Sequence, residues 1–176
     1  MRIFVDIDNT LADLLIPMIN LHYKWNGEFY DVEDIFSHEL SEVFKCSHSE
    51  IWKLVHHSII SELPKPIKGA SEAMTRLIKD NELHILTARD IAYKDFTIQW
   101  LNHNLIPYTT ITFDHDKVKY AKDMDYLIDD LGSNALALSE AGVKVLMPDM
   151  PYNRDVIHKN ITRVYSWKDI LSKLGV

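Results

Sequence analysis

Residues 1–10 read MRIFVDIDNT, a short apolar run that ends in two carboxylates separated by one residue. The apolar part, Ile3 to Val5, is typical of a strand that is buried on both faces of a sheet. Three later segments repeat this design and cover residues 82–87, 126–130 and 143–147. Helical patterns separate these segments, so the sequence predicts a three-layer, Rossmann-like α/β fold with a mostly parallel sheet.

The rest of the chain fits the same alternation of strands and helices. Amphipathic patterns predict helices at residues 70–79, 92–102, 117–122 and 133–141. Segments 109–113 and 162–165 predict further strands, and Ser166 has the side chain of an N-cap for a last helix. In sheets of this kind ligands bind beyond the carboxyl ends of the strands, which is where Asp6, Thr87 and Asp129 fall.

The segment between the first strand and the Pro64-Lys65-Pro66 turn shows no buried-strand pattern. Its apolar residues have helical spacing over residues 11–25, 32–44 and 49–60. We therefore expect a small helical cap at residues 15–65, inserted into a core domain of residues 1–14 and 66–176. Most of the cap aromatics are expected to form the cap's own core, with some available to stack on a flat group. These aromatics are Trp25, Phe29, Tyr30, Phe36, Phe44 and Trp52.

Length, composition and charge narrow the class of protein. With 176 residues, of which 47% are hydrophobic and 26% charged, the chain fits one folded domain with a modest insertion. Its longest apolar stretches are too short to cross a bilayer and its N-terminus lacks a signal-peptide layout, so we expect a cytoplasmic location. The net charge of −7, with four lysines against eight acidic residues over residues 15–65, argues against an extended nucleic-acid surface.

Asp6 and Asp8 are the first candidates for chemistry. Because they follow a buried strand two residues apart, both can turn into the crevice where the chain leaves the sheet. Carboxylates in such a place are costly unless they bind something. By itself, the pattern also fits a loop that caps the next helix.

Two later strand ends favour the functional interpretation. Thr87 offers a hydroxyl and Arg89 offers a fixed positive charge to a phosphate group. Asp129 and Asp130 form a second acidic pair, and carboxylate oxygens are the ligands that Mg²⁺ prefers.

The order and spacing of these motifs resemble the haloacid dehalogenase-like (HAD) phosphohydrolase superfamily over nearly the whole chain. Residues 6–10 match its first motif, Thr87 its second, Lys117 its third and residues 129–130 its acidic fourth. The helical insertion after the first motif resembles the first-type cap, and the closer similarity is to the 5′(3′)-deoxyribonucleotidase group. Two departures are Asn9, where a glycine is frequent, and the alanine and arginine that follow Thr87.

The resemblance implies a role for each matched residue. Asp6 is expected to attack phosphorus and form an aspartyl phosphate, while Asp8 protonates the leaving group. Mg²⁺ is expected to bind Asp6, Asp129 and the backbone carbonyl of Asp8. Thr87 and Lys117 are expected to contact the phosphoryl oxygens.

Two cations leave alternatives open. Lys119 is a rival of Lys117 for the site, because it lies two residues nearer the acidic pair. Arg89 is expected either to reach a substrate phosphate or sugar, or to pair with Asp90 or Asp130.

Together these features predict a Mg²⁺-dependent hydrolase of small phosphate monoesters, and the resemblance favours nucleoside monophosphates as substrates. A polynucleotide 3′-phosphatase or a sugar-phosphate phosphatase of the same superfamily is the alternative. A catalytically silent phosphate-binding protein on the same fold is a further alternative, against which the presence of both Asp6 and Asp8 speaks. The base, the sugar, the 5′ or 3′ position and the oligomeric state stay open.

Overall fold

The computed structural model describes residues 1–61 and 63–176 of the chain. Its strands are β1 (Arg2–Val5), β2 (Ala12–Asp13), β3 (Lys65–Pro66), β4 (Glu82–Thr87), β5 (Thr110–Phe113), β6 (Tyr126–Ile128), β7 (Lys144–Pro148) and β8 (Ile161–Val164). Its α-helices are α1 (Leu15–Asn26), α2 (Leu40–Val43), α3 (His48–Ile60), α4 (Ala70–Leu77), α5 (Lys94–His103), α6 (Gly132–Glu140) and α7 (Trp167–Leu174). Short 3₁₀ helices cover Val32–Asp34, Ile91–Tyr93, Lys117–Asp123 and Pro151–Asn153. Within the described residues, no helix has both the length and the hydropathy that crossing a bilayer requires.

Six strands form one parallel sheet in the order β5-β4-β1-β6-β7-β8. The chain starts in the middle at β1, adds β4 and β5 on one side, and then crosses to β6, β7 and β8 on the other. The direction of winding therefore reverses between β1 and β6, the kind of position at which open α/β sheets bind ligands. The predicted α/β fold with a mostly parallel sheet is confirmed.

Alternating side chains of the strands support a helical layer on each face of the sheet. Ile3 and Val5 belong to a buried cluster with α4, α5 and α7, whereas Phe4 belongs to a cluster with α6. This alternation is the two-residue period of a strand, and burial on both faces explains why the positions of β1 after Arg2 are all apolar.

Helices α1, α2 and α3 make up the helical insertion, which lies between β2 and β3 and has its own buried cluster. Its centre is mostly aliphatic and includes Met18, Ile19, Leu54 and Ile59, with Phe44 as an aromatic member. Ser47 caps α3 in a reciprocal arrangement with Glu50, whose N–H donates to Ser47 Oγ at 3.3 Å and whose carboxylate accepts the Ser47 N–H at 2.9 Å. Strands β2 and β3 pair antiparallel and bring the two ends of the insertion together. The domain limits at residues 15–65 stay a prediction.

Three predicted helices differ from the structure. The helix predicted at residues 11–25 begins only at Leu15, because residues 12–13 pair with β3 and so short a strand shows no alternation in the sequence. The helix predicted at residues 32–44 is wrong, since a single 3₁₀ turn and the short α2 stand there. The Asp34 carboxylate accepts the Asp31 N–H at 2.8 Å, a bond that favours a closed turn over a continuing helix. The helix predicted at 117–122 is a 3₁₀ helix.

The expectation that most cap aromatics form the cap's own core is wrong. Phe44 is buried and Tyr30 is half-buried, but Trp25, Phe29, Phe36 and Trp52 are 44%, 70%, 67% and 59% exposed. Aliphatic residues at helical spacing fill the inward faces of α1 and α3. The exposed aromatics therefore occupy the remaining faces of these helices and the segments between them.

Candidate active site

A cavity of about 590 Å³ opens between the carboxyl ends of the central strands and the helical insertion. Its floor contains Asp6, Thr87 and Asp129, which stand at the ends of β1, β4 and β6. Its opposite wall comes from α1 and α3. The volume is that of a site for one small molecule.

The register of the sheet explains why the acidic residues meet. Val5 lies beside Ile128 in the pairing of β1 with β6, so Asp6 and Asp129 leave the sheet side by side. One carboxylate oxygen from each of Asp6, Asp129 and Asp130 lies within 4.8 Å of the others, and all three residues are buried. We call these three residues the acidic cluster.

Lys117 supplies positive charge to the acidic cluster. Its Nζ donates to Asp6 Oδ1 at 2.5 Å and to Asp129 Oδ2 at 2.7 Å, and its side chain is 1% exposed. Lys119 lies at the surface, where its Nζ donates to the Asp114 carboxylate at 3.1 Å. The structure therefore places Lys117, and not Lys119, beside the carboxylates.

The acidic cluster holds more negative charge than one lysine balances. Burial raises the pKa of Asp6 to about 7, although Lys117 opposes the shift. Burial, followed by the charge of Asp129, raises the pKa of Asp130 well above its ordinary value. Burial by itself would lower the pKa of Lys117, but Asp129 and Asp6 raise it above its ordinary value. A cluster of three buried carboxyl groups, two of which share one ammonium group, fits a hard divalent cation such as Mg²⁺.

The start of α6 orients Asp129. Its carboxylate accepts the Leu131 N–H at 2.8 Å and the Asn134 side-chain amide at 2.9 Å. Asn134 has no place among the residues predicted for the site, because a polar residue in the first turn of a helix is common without any function.

Asp130, a member of the second acidic pair whose own role the sequence left open, is held from two sides. Its carboxylate accepts hydrogen bonds from Thr10 Oγ1 at 3.3 Å and from the Tyr152 hydroxyl, and its backbone carbonyl accepts from Asn153 Nδ2 at 2.7 Å. Sequence reasoning missed Tyr152 and Asn153, which lie in the loop after β7. No motif surrounds them, and only the fold brings this loop to the acidic cluster.

Asp8 lies outside the acidic cluster and pairs with Arg89. Arg89 Nε lies 3.1 Å and 3.0 Å from the two Asp8 carboxylate oxygens, and Nη2 lies 2.5 Å from Oδ1. Arg89 Nη1 donates to Thr97 Oγ1 at 3.2 Å. The partner of Arg89 in the structure is therefore Asp8, rather than Asp90 or Asp130. The part expected of the Asp8 backbone carbonyl in metal binding stays a prediction.

Thr87 is the last residue of β4 and is buried at the floor of the cavity. Its Oγ1 accepts the Arg89 N–H at 3.2 Å. Because a hydroxyl is both acceptor and donor, this bond leaves the hydroxyl hydrogen for another acceptor such as a phosphate oxygen.

The backbone at Asn9 explains why a glycine is frequent at this position in similar motifs. Its φ of +54° lies in the left-handed region, which asparagine tolerates better than most residues with a side chain. The Asn9 side chain also accepts the Leu15 N–H at 3.0 Å and donates to the Tyr152 hydroxyl at 3.3 Å. The departure from glycine therefore keeps the turn and ties it to α1.

The wall opposite the acidic cluster is mostly apolar. Aliphatic side chains that line it are Leu14, Leu15, Met18, Ile51, Val55 and Ile59. Of the six cap aromatics, Trp52 is the one that lines the cavity among the residues that the structure describes. Tyr93, which lies outside the insertion in the 3₁₀ helix before α5, also lines the cavity. Glu39 and His48 add polar groups. Such a wall suits a flat group with apolar faces and a polar edge.

Comparison with known proteins shows that the chain is similar to nucleotidases. Residues 1–174 match the protein family described as 5′ nucleotidase, deoxy (pyrimidine), cytosolic type C protein. A nucleotidase from Clostridium acetobutylicum is 31% identical over 176 residues, which cover 97% of this chain and 91% of that protein.

Solved structures share the fold. A haloacid dehalogenase-like protein of unknown function from Agrobacterium tumefaciens has a TM-score of 0.71 at 17% identity, over 99% of this chain and 97% of that chain. YfnB from Bacillus subtilis, whose crystal structure is bound to magnesium, has a TM-score of 0.65 at 14% identity, over 100% of both chains. At such identities the similarity speaks for the fold alone.

Proposed function

The chain belongs to the family of 5′ nucleotidases, deoxy (pyrimidine), cytosolic type C, within the HAD superfamily, and from this premise we propose that it is a Mg²⁺-dependent (deoxy)nucleoside monophosphatase. The resemblance noted in the sequence is confirmed at the level of the family, and the protein is a phosphoric monoester hydrolase. The observation that carries the finer proposal is the acidic cluster with its lysine, at the floor of a cavity whose opposite wall is apolar.

The donor set of the acidic cluster supports Mg²⁺ as the cofactor. We assign Asp6, Asp129 and the backbone carbonyl of Asp8 as ligands, and Asp130 adds a third buried carboxylate to the same space. When bound, Mg²⁺ supplies the positive charge that allows an anionic nucleophile to approach a phosphate dianion.

Asp6 is the proposed nucleophile. Its Oδ1 accepts the hydrogen bond from Lys117, so Oδ2 is the oxygen that we assign to attack on phosphorus. The attack forms a P–O bond to Asp6 and breaks the P–O bond to the ester oxygen, which gives an aspartyl phosphate and an alcohol. Water then attacks this phosphorus, releases inorganic phosphate and restores the carboxylate.

Asp8 and two phosphate-binding residues complete the proposal. Asp8 lines the cavity and would give a proton to the leaving ester oxygen, then take one from the attacking water. Thr87 and Lys117 would donate to the phosphoryl oxygens, where negative charge has to be held during both steps.

The charges that line the cavity favour a small substrate with one phosphate. In the described part of the chain the lysine and arginine that line it are Lys117 and Arg89, and both are already paired with carboxylates. Glu39 and Asp90, which are exposed, add negative charge to the lining. A polynucleotide or a second phosphate would therefore meet repulsion, whereas the base of a nucleoside monophosphate fits the apolar wall.

We further propose that the protein acts in the cytoplasm.

The test is release of inorganic phosphate from a panel of monophosphates, with Mg²⁺ and after chelation. We expect deoxynucleoside 5′-monophosphates to have the highest kcat/KM, and activity to be lost in chelator and restored by Mg²⁺. Full activity in excess chelator, with no metal found by elemental analysis, would contradict the metal assignment. Equal efficiency on glucose 6-phosphate, or faster attack on a 3′-phosphorylated oligonucleotide, would contradict the nucleotide assignment.

A further inference from the structure

We propose that Arg89 is a positioning residue, which holds the Asp8 carboxylate toward the leaving group instead of binding the substrate phosphate. This inference rests on the proposed function, because it assumes that Asp8 exchanges a proton with the leaving group. It replaces both alternatives that the sequence left open, in which Arg89 reaches a substrate phosphate or sugar or pairs with Asp90 or Asp130.

The guanidinium group of Arg89 is held at both ends. Its Nε and Nη2 contact Asp8, and its Nη1 donates to Thr97 Oγ1 at 3.2 Å. Thr97 is fully buried in α5, and the Arg89 side chain is 3% exposed. Three of the five N–H groups of the guanidinium are used in these contacts. An arginine fixed in this way holds the Asp8 carboxylate in one orientation, and α5 anchors the arginine through Thr97.

The contact sets the direction of Asp8. Oδ1 receives two donors, Nε at 3.1 Å and Nη2 at 2.5 Å, whereas Oδ2 receives Nε alone at 3.0 Å among the described residues. The Asp8 side chain is 25% exposed and lines the cavity. The less engaged oxygen, Oδ2, is therefore the one that we assign to the proton transfer.

Arg89 also keeps the carboxylates of the first motif in separate environments. Asp6 pairs with Lys117, while Asp8, two residues later, pairs with Arg89. A planar fork that bonds a carboxylate at two points defines its orientation, which the single ammonium of a lysine does not do.

The experiment compares two leaving groups in Arg89→Lys and Arg89→Met. A nucleoside leaves as an alkoxide that needs a proton, whereas p-nitrophenolate leaves without one. A misdirected general acid commonly costs about a hundredfold in rate, so we expect kcat/KM on a deoxynucleoside monophosphate to fall by about that factor. On p-nitrophenyl phosphate we expect kcat/KM to fall by less than about fivefold. We compare kcat/KM because it covers the steps up to loss of the leaving group and excludes the later step in which Asp8 takes a proton from water. The Ki of inorganic phosphate as a product inhibitor should stay unchanged.

Two further variants serve as controls. Arg154→Met removes another arginine fork, the one that bonds the Glu33 carboxylate at the surface, and should leave both activities unchanged. Thr97→Val removes only the far anchor of Arg89 and should reproduce the leaving-group dependence at smaller size. It therefore tests the proposal even if the Arg89 variants fail to fold, which thermal unfolding would reveal.

Equal losses in kcat/KM on both substrates would overturn the proposal, because a purely structural residue affects them alike. A higher Ki for phosphate, with no dependence on the leaving group, would also overturn it and return Arg89 to phosphate binding. Asp8→Asn separates this failure from that of the proposed function. If Asp8→Asn shows the leaving-group dependence and the Arg89 and Thr97 variants do not, only the role of Arg89 is wrong. If Asp8→Asn does not show it, the acid role of Asp8 is wrong.

Discussion

The floor and the wall of the cavity differ in polarity, since the floor is charged and the wall is mostly apolar. The floor is a set of buried charges at the end of a parallel sheet, where Asp6, Lys117, Asp129 and Asp130 are each less than 9% exposed. The wall is a helical insertion whose centre is mostly aliphatic and whose Trp52 is 59% exposed. The floor thus carries electrostatic cost and fixed geometry, while the wall contributes contact area that tolerates variation.

The difference extends to how each region is held in place. Asp6 and Asp129 are fixed by the register of two neighbouring strands and by buried hydrogen bonds. The ion pair between Glu33 of the insertion and Arg154 of the loop after β7 is exposed, and such pairs contribute little to stability. We therefore assign the chemistry to the floor, where buried hydrogen bonds and strand register fix each position, and substrate selection to the wall, where apolar packing contributes most of the contacts.

The largest expected effect concerns the floor. Asp6→Asn should reduce kcat by at least about a thousandfold, or ~4 kcal/mol of transition-state stabilisation, because it removes the proposed nucleophile and one proposed metal ligand together. Initial rates of phosphate release at saturating Mg²⁺ measure this. Glu33→Gln, the same kind of change at an exposed position in the insertion, is the matched control and should keep full activity. A folded Asp6→Asn protein with more than a tenth of wild-type activity would refute the nucleophile assignment.

The same substitution should have the opposite effect on the stability of the metal-free protein. The pKa of Asp6 is raised from 3.8 to about 7, so its contribution to stability is present below pH 3.8 and is lost as the pH rises toward 7. In chelator at pH 7.5, Asp6→Asn should therefore unfold at a higher denaturant concentration than the wild type, by at least about 1 kcal/mol. The difference should shrink as the pH is lowered to 4.

Denaturant titrations of both proteins in chelator, over this pH range, provide the measurement. If the wild type is the more stable protein at pH 7.5, Lys117 fully offsets the cost of burying the charged Asp6 carboxylate. In that case the floor would not carry the electrostatic cost that separates it from the wall.

The floor was also the part that the sequence predicts best. Each buried strand has an apolar run with a polar end, and this pattern alone brings Asp6, Thr87 and Asp129 to one edge of a parallel sheet. The resemblance added Lys117, which residue types by themselves could not separate from Lys119. The structure distinguishes the two lysines, because Lys117 is buried between carboxylates whereas Lys119 is exposed.

What the sequence could not supply depends on long-range contacts or on short local bonds. Tyr152 and Asp130 are 22 residues apart in the sequence, and Arg89 and Asp8 are 81 residues apart, so no local pattern predicts either contact. In the insertion, a side-chain bond to the backbone at Asp34 ends a pattern whose apolar spacing predicts a helix. The exposed positions of most cap aromatics escaped prediction because helical spacing tells which residues share a face, not which face turns inward.

The smallest expected effect concerns the wall, and it tests whether the wall selects the base. Trp52 lines the cavity although its side chain is largely exposed, so its ring face is available to a ligand without disturbing the core of the insertion. Base stacking on an aromatic ring contributes about 1 to 3 kcal/mol, so Trp52→Ala should lower kcat/KM for a deoxynucleoside monophosphate roughly five- to hundredfold. Most of this loss should appear in KM, because the contact is remote from phosphorus and is made equally in the bound state and the transition state.

The kcat/KM for deoxyribose 5-phosphate, which lacks the base, should hardly change in Trp52→Ala. Phe36 is an exposed aromatic of the insertion away from the cavity lining, so Phe36→Ala should leave kcat/KM for both substrates unchanged. Equal losses on both substrates would show that Trp52 maintains the shape of the insertion, and the assignment of chemistry to the floor and selection to the wall would then need a different residue to support it.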